Sequence, residues 1–375
     1  MPSPLSDLRF EARLECHSQP SFNRWLADLA GSLAITTHQA GMLALLGWGD
    51  GQPSLLVRKF DRPTGLAADH DHCALATRCE IIQFANADQA AAHTTTDRYD
   101  ALYLPRVTHH TGELNVQDMA FGNEGLWFVN SRFSCLCGLS TEFSFVPRWQ
   151  PSFVSEMAPE DRCHLNGMAM VNGEPKYVTA FGETDTLGGW REHEQTGGIL
   201  VDVETNEVLL RGLSRPHSPR WHNGQLYLLN SGAGELLCVD PVRGTSEVVC
   251  ILPGYLRGLQ IIDGCAVIGM SQGGGTQTAG RLRVQERFEQ LVSGLALVDL
   301  KTGALQGTFE FISGCKGIFE VSLLPQTRHP NFVGTAQETS RLAFTAPDDG
   351  SGLRSGKKRR QISISTSHLV PAEPR

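Results

Sequence analysis

The chain has 375 residues, 41% of them hydrophobic, with 39 Gly and 19 Pro. It is too apolar for a disordered polymer and rich in the residues that punctuate short strands. A formal net charge of -8 excludes nucleic acid as the main partner, because a phosphate backbone is bound by a dense excess of Lys and Arg.

Taken in chain order, residues 1–20 read as a lead-in, and "SFNRWLADLAG" follows as a short amphipathic helix entering the strand "SLAITT". Six stretches then share a tight turn and a short apolar strand, spaced by roughly fifty residues: RPTGLAAD at 62, NVQDMAFG at 115, HLNGMAMV at 164, PHSPRWHN at 216, YLRGLQII at 255 and KGIFEVSL at 316. The rhythm inside an interval is clearest from 216 to 252. A strand around Pro219 to Trp221 is followed by strands at Gln225 to Asn230, Glu235 to Val239 and Ser246 to Ile251, with Gly- and Asn-bearing turns between them. Gly and Asn supply the positive φ of hairpin turns, while Val, Leu and Tyr favour the pleated runs. "GGILVDVETNEVLLRGL" and "SGLALVDLKTGALQGTFEF" repeat the last hairpin.

Four antiparallel strands repeated about six times are the signature of a propeller. The expected fold is therefore all-β: a six-bladed β-propeller of four-stranded antiparallel blades, with a short N-terminal helix and a flexible C-terminal tail. One propeller domain would span 21–335, with "GIFEVSLLP" as the last blade's inner strand, closed by pairing of N- and C-terminal strands. Residues 336–375 form a polar tail whose basic run, Lys357-Lys358-Arg359-Arg360, reads as solvated.

Ten cysteines stand as singles apart from Cys135-Leu-Cys137, and no CxxC pair occurs. Most read as small core residues. With no signal peptide and no apolar run of about 18 residues, a reduced, cytoplasmic protein away from membranes is expected.

In a propeller the inner strands start beside a central channel. The third residue of the first five repeats gives Thr64, Gln117, Asn166, Ser218 and Arg257, and the second residue of the last gives Gly317, with His109, His110, His164, His217 and Glu320 nearby. Convergent polar groups in a concave place are the default ligand site. His164 and His217 suit general acid and base work, and His164 with Asn166 suits one divalent metal ion. Arg257 offers a fixed fork for an anion. Arg132, Gln117, Ser218, Trp190 and Arg191 are candidate substrate-binding residues, the last two on an insertion, "GGWREHE". Arg162, beside Glu160 and Asp161, reads as an ion-pairing residue. "SQGGGTQTAG" lacks the Lys-Ser/Thr ending of a phosphate loop and precedes no helix, so no nucleotide cofactor is expected.

The blocks "LWFVNSRFSCLCGLS", "SFVPRWQPSFVSEMAPEDRCHLNGMAMVNG", "YVTAFGETDTLGGWRE", "PHSPRWHNGQLYLLNSGAGEL" and "LPGYLRGL" resemble a bacterial family of conserved hypothetical proteins built on domain of unknown function 4915. The likeness spans about residues 10 to 335 and implies the propeller fold, with no assigned reaction. Against that family's pattern the chain carries Gln117 for His, Asn115 for Asp, Gly317 for Glu and Ser293 for Cys, which implies a thinner set of metal ligands. "NGMA" after His164 is also similar to an element of gluconolactonase-like propellers, and that similarity implies Asn166 as a metal ligand.

Two functions follow as expectations. The first is a small-molecule enzyme of hydrolase, lyase or isomerase type at the channel, acting on an anionic ligand. The second is a non-catalytic scaffold that holds a ligand or a protein partner over a degenerate metal site.

Overall fold

Many strands of this protein are apolar on both faces. In Gly31–Thr37 every residue is buried; Leu33 and Ile35 enter one core, and Ala34 enters another. Successive side chains of an extended chain point to opposite faces, so a strand buried on both sides must belong to a sheet stacked between two others. Met42–Gly49 behaves in the same way, with Ala44 and Leu46 in the first core and Leu43 and Leu45 in the second.

The computed structural model describes residues 14–87, 99–273 and 281–335, together with 337 and 340. Within them six sheets are arranged in chain order as six blades. Blade 1 joins Gly31–Thr37, Met42–Gly49 and Gln52–Lys59 to Glu320–Pro325, which pairs antiparallel as the innermost strand. Blade 2 holds Leu66–Ala68, His72–Ala76, Glu80–Asn86 and Ala101–His110, and a fifth strand, Pro330–Phe332, runs parallel along its outside. Blades 3, 4 and 5 are four-stranded meanders whose inner strands are Val116–Gly122, Leu165–Val171 and Pro216–His222. Blade 6 runs outward from Tyr255–Ile262 to Leu305–Ser313, where Glu15–Ser18 adds a fifth strand.

Six apolar clusters fill the six junctions between blades. Side chains also stitch the junctions near the channel. Thr36 Oγ1 donates to the Thr64 carbonyl at 2.6 Å, Ser131 to the Leu165 carbonyl, and Gly258 N–H to Ser218 Oγ at 3.0 Å. Pro20–Asp28 is the expected helix, with Pro at its start. Its buried Phe22 and Leu26 are one turn apart, and Phe22 meets Phe309 of blade 6 at 6.1 Å.

The six-bladed expectation agrees with this architecture, as does closure by N- and C-terminal strands. The four strands read between 216 and 252 occur as Pro216–His222, Gln225–Asn230, Glu235–Asp240 and Thr245–Ile251. The lead-in contributes more than a leader, since Glu15–Ser18 is an outer strand. The basic run, most of the stretch assigned to the tail and most of the glycine-rich 271–280 segment lie outside the described residues. No helix among the described residues is long and apolar enough to cross a membrane.

Candidate functional site

The inner strands are irregular where they meet the channel. Register breaks between Leu165 and Gly167, between His217 and Arg220, and between Leu256 and Leu259; opposite Phe128 and Asn130 it breaks across Val116 to Met119. Each break is a bulge, which bends a strand and re-aims the side chains it carries. Gln117, Asn166, Ser218 and Arg257 all sit in these breaks. Just before them come Asn115, His164 and Arg215, and Arg62 precedes Thr64 in the same way. All four have left-handed φ, between 48° and 56°. That region disfavours side chains, and residues held there outside glycine cluster at functional sites.

Two arginines plug the channel. Arg220 donates through Nη1 to Asp118 Oδ2 at 2.8 Å, through Nη2 to Glu320 Oε1 at 3.3 Å, and through Nε to the Leu259 carbonyl at 3.1 Å. Arg257 donates to Gln117 Oε1, and its guanidinium lies 3.2 Å from the centre of the Phe319 ring. Burial works against its charge, Glu320 and Asp118 support it, and its pKa falls to about 9, so Arg257 is a cation at neutral pH. The Gly317 expected in the ring is displaced. Phe319 reaches Arg257, because the paired strand of blade 1 starts only at Glu320.

In front of this plug lies a cavity of about 310 Å³, lined by Arg62, Arg78, Arg132, Arg191 and His38, with Glu113, Glu160 and Asp161 opposing them and Leu187 and Pro159 at the side. Most of the charges are already engaged. Arg62 is 3.8 Å from Glu113, Arg78 is 3.1 Å from Asp61, and Arg191 is 3.7 Å from Asp161 while stacked over Trp190. Glu160 is taken by Arg162, which also pairs with Asp185 and Glu156. Arg132 differs. Its Nε is buried without a partner, and its guanidinium makes no ion pair among the described residues. Loss of hydration, with Arg257, Arg62 and Arg78 nearby, pushes His38 down to about 4.

Asp161 is the organising acid of one wall. Both carboxylate oxygens lie 3.0 Å from His164 Nδ1, and Trp190 Nε1 donates to Oδ2 at 3.2 Å. His164 is held between Phe181 and Trp190, each ring 4.5 Å away. His217 lies beyond Phe181, 5.2 Å from it edge-on. Burial, then Arg257, His164 and Arg215, keep His217 well below its ordinary pKa. A lowered pKa keeps the His217 ring neutral, which disfavours it as the proton donor of the expected His164–His217 pair.

Of the residues picked from sequence, Arg132 and Arg191 line the cavity. Gln117 is spent on Arg257, and Ser218 accepts from Gly258. Trp190, 2% exposed, is packing behind the wall. His38, Arg62 and Arg78 line the cavity as well, outside the positions that the repeat singles out. The signal for Arg62 was its place before the repeated turn, equivalent to His164.

A family model described as "Domain of unknown function (DUF4915)" matches residues 20–333. The chain belongs to this family. Among proteins with curated descriptions none matches. The DUF4915 chain is similar to a structure titled "Crystal structure of Nidogen/Laminin Complex", with 10% identity, a TM-score of 0.52, and coverage of 79% of this chain and 98% of that one. A protein of unknown function from Bacteroides caccae matches at 10% identity and a TM-score of 0.49, over 78% of this chain and 98% of its own. At such identity the first likeness concerns fold alone.

The metal suggested for Asn166 and His164 finds a poor donor set in this DUF4915 member. Asn166 Oδ1 accepts from Thr179 Oγ1 at 2.7 Å while Nδ2, a donor, is the unpartnered atom. Arg257 contributes a positive charge to the same ring. Hard divalent cations need several oxygen ligands, and no group of three or more His, Cys, Asp or Glu is gathered to hold one among the described residues.

Proposed function

We propose that the protein binds a small oxyanion-bearing molecule, a carboxylate or phosphate ester, in the cationic front mouth. The observation that carries this reading is Arg132, a guanidinium whose Nε is buried and unpartnered on the wall of a cavity holding three further arginines. A buried donor without an acceptor costs about 1–3 kcal/mol, and a bound oxyanion would remove that cost. Arg fits such a group better than Lys, because its planar fork matches a carboxylate or phosphate. Leu187 and Pro159 suit an apolar portion of the ligand.

The test is a panel of small carboxylates and phosphate esters screened by melting-temperature shift, with hits measured by calorimetry. Arg132→Met should weaken a hit roughly 10- to 100-fold, the loss of charge-assisted hydrogen bonds, while Arg243→Met, remote and 81% exposed in its side chain, should not. Equal affinity in both variants would remove Arg132 from the site.

A second reading is catalytic, and the Asp161–His164 pair favours it. An acid on Nδ1 fixes the tautomer and orients Nε2 as a general base. A hydrolase, lyase or isomerase working at this mouth would use His164 in that role, with Arg132 holding the anion. Any turnover found for a bound compound should then disappear in His164→Gln with binding retained.

A further inference from the structure

The channel has a second mouth, behind the plug, which opens into a cavity of about 400 Å³. Its floor is Asp118, Arg220 and Glu320, and its walls include Met119, Met168, Met170, Phe121 and Trp221. The two carboxylates are each 2% exposed and share one guanidinium. Asp118 is saturated: Oδ1 accepts from Met119 N–H and Arg220, and Oδ2 from Met168 N–H and Arg220. Arg220 is saturated as well. Nε is given to Leu259, Nη1 to Asp118 and to the Met168 and Pro219 carbonyls, and Nη2 to Asp118 and Glu320.

Glu320 is not saturated. Oε1 accepts from Val321 N–H at 3.0 Å and from Arg220 at 3.3 Å, while Oε2 has no hydrogen-bond partner among the described residues. This mouth thus offers an arriving molecule an under-used carboxylate oxygen on a largely buried residue, and no free guanidinium N–H. Around it stand thioethers and aromatic faces, which favour apolar bodies and, in the aromatics, cations.

We propose that the rear mouth is a binding site for an organic ammonium with an apolar body, the ammonium donating to Glu320 Oε2 and the body lying on the methionine and aromatic wall. Burial raises the Glu320 pKa, to about 7, as expected of a carboxylate lacking a full complement of donors. This site is independent of the front mouth, and either can fail alone.

The probes are phenethylammonium and its neutral counterpart 2-phenylethanol, added to the full chain with carbon-13-labelled methionine methyls. The chain has seven methionines. Phenethylammonium should shift the signals of Met119, Met168 and Met170 and leave Met157 unmoved, and the alcohol should bind at least tenfold more weakly. Glu320→Gln should bring the two affinities together. No shift at those three methionines, or equal binding of the alcohol by the wild-type protein, overturns the proposal. This comparison needs no variant, so it decides the matter even if Glu320→Gln does not fold.

Discussion

Arg62, Asn115, His164 and Arg215 keep their side chains in a backbone region that suits glycine. An L-residue there costs about 1–2 kcal/mol; Arg62 and Asn115 gain by it a place on the wall of the front cavity, while Arg215 is buried against Glu194. Arg62→Gly makes the exchange measurable. It should leave unfolding stability unchanged or raise it by up to about 1 kcal/mol, since the exposed pair to Glu113 at 3.8 Å contributes little. The same variant should bind front-mouth anions less tightly. A clear loss of stability in chemical denaturation would mean that the left-handed turn depends on the side chain for its shape.

His217 carries a pH prediction. Below pH 6.5 the unfolded chain takes up a proton that the buried ring refuses, so its share of stability is present at higher pH and is lost as pH falls. In a proton NMR titration its imidazole should titrate well below the ordinary histidine value of about 6.5. A midpoint at that ordinary value would show the ring open to water. The polar ring was legible from repeat position alone in Gln117, Asn166, Ser218 and Arg257. Pairing was not: periodicity says which face a residue takes, and it does not say that Arg257 spends itself on Gln117 and Phe319 while Arg132 Nε has no partner among the described residues.

At the level of elements, the insertion bearing the short helix Gly189–His193 connects fold to site. Trp190 is its buried anchor, and His164 stacks on it while Asp161 accepts its N–H. Trp190→Ala should cost about 3–5 kcal/mol if the whole molecule feels the cavity. Hydrogen exchange should locate the damage, with amides of residues 188–197 losing protection first and blade 5 keeping its own. Uniform loss across all blades would make the insertion part of the global core. Hairpins such as Gln225–Asn230 with Glu235–Asp240 were readable because Asn223-Gly224 and Gly234 mark their ends. The ring position in blade 1 was misplaced at Gly317, because its inner strand comes from a distant part of the chain and shares no hairpin turn with its neighbour.

For the whole molecule, six apolar junctions and a hydrogen-bonded plug are expected to carry the stability. A chelator should therefore leave the melting temperature unchanged, and elemental mass spectrometry of the native protein should find less than a stoichiometric amount of metal. A fall of several degrees on chelation, reversed by one cation, would assign that cation a structural place. The fold was legible because a blade repeats and its signature averages over six copies. The chemistry was not, because a site made where six strands converge draws single residues from each and repeats nothing.

One consequence belongs to the order in which the chain is made. Gly31–Thr37 gains its inner neighbour only when Glu320–Pro325 exists, so a ribosome builds five blades before the ring can shut. At about 5–20 residues per second the wait is on the order of tens of seconds, during which the flank of blade 1 is an unpaired edge open to the wrong strand. The same late strand brings Glu320 to Arg220. The ring and its charge plug are thus completed in one event, and a nascent chain stalled before that point carries neither.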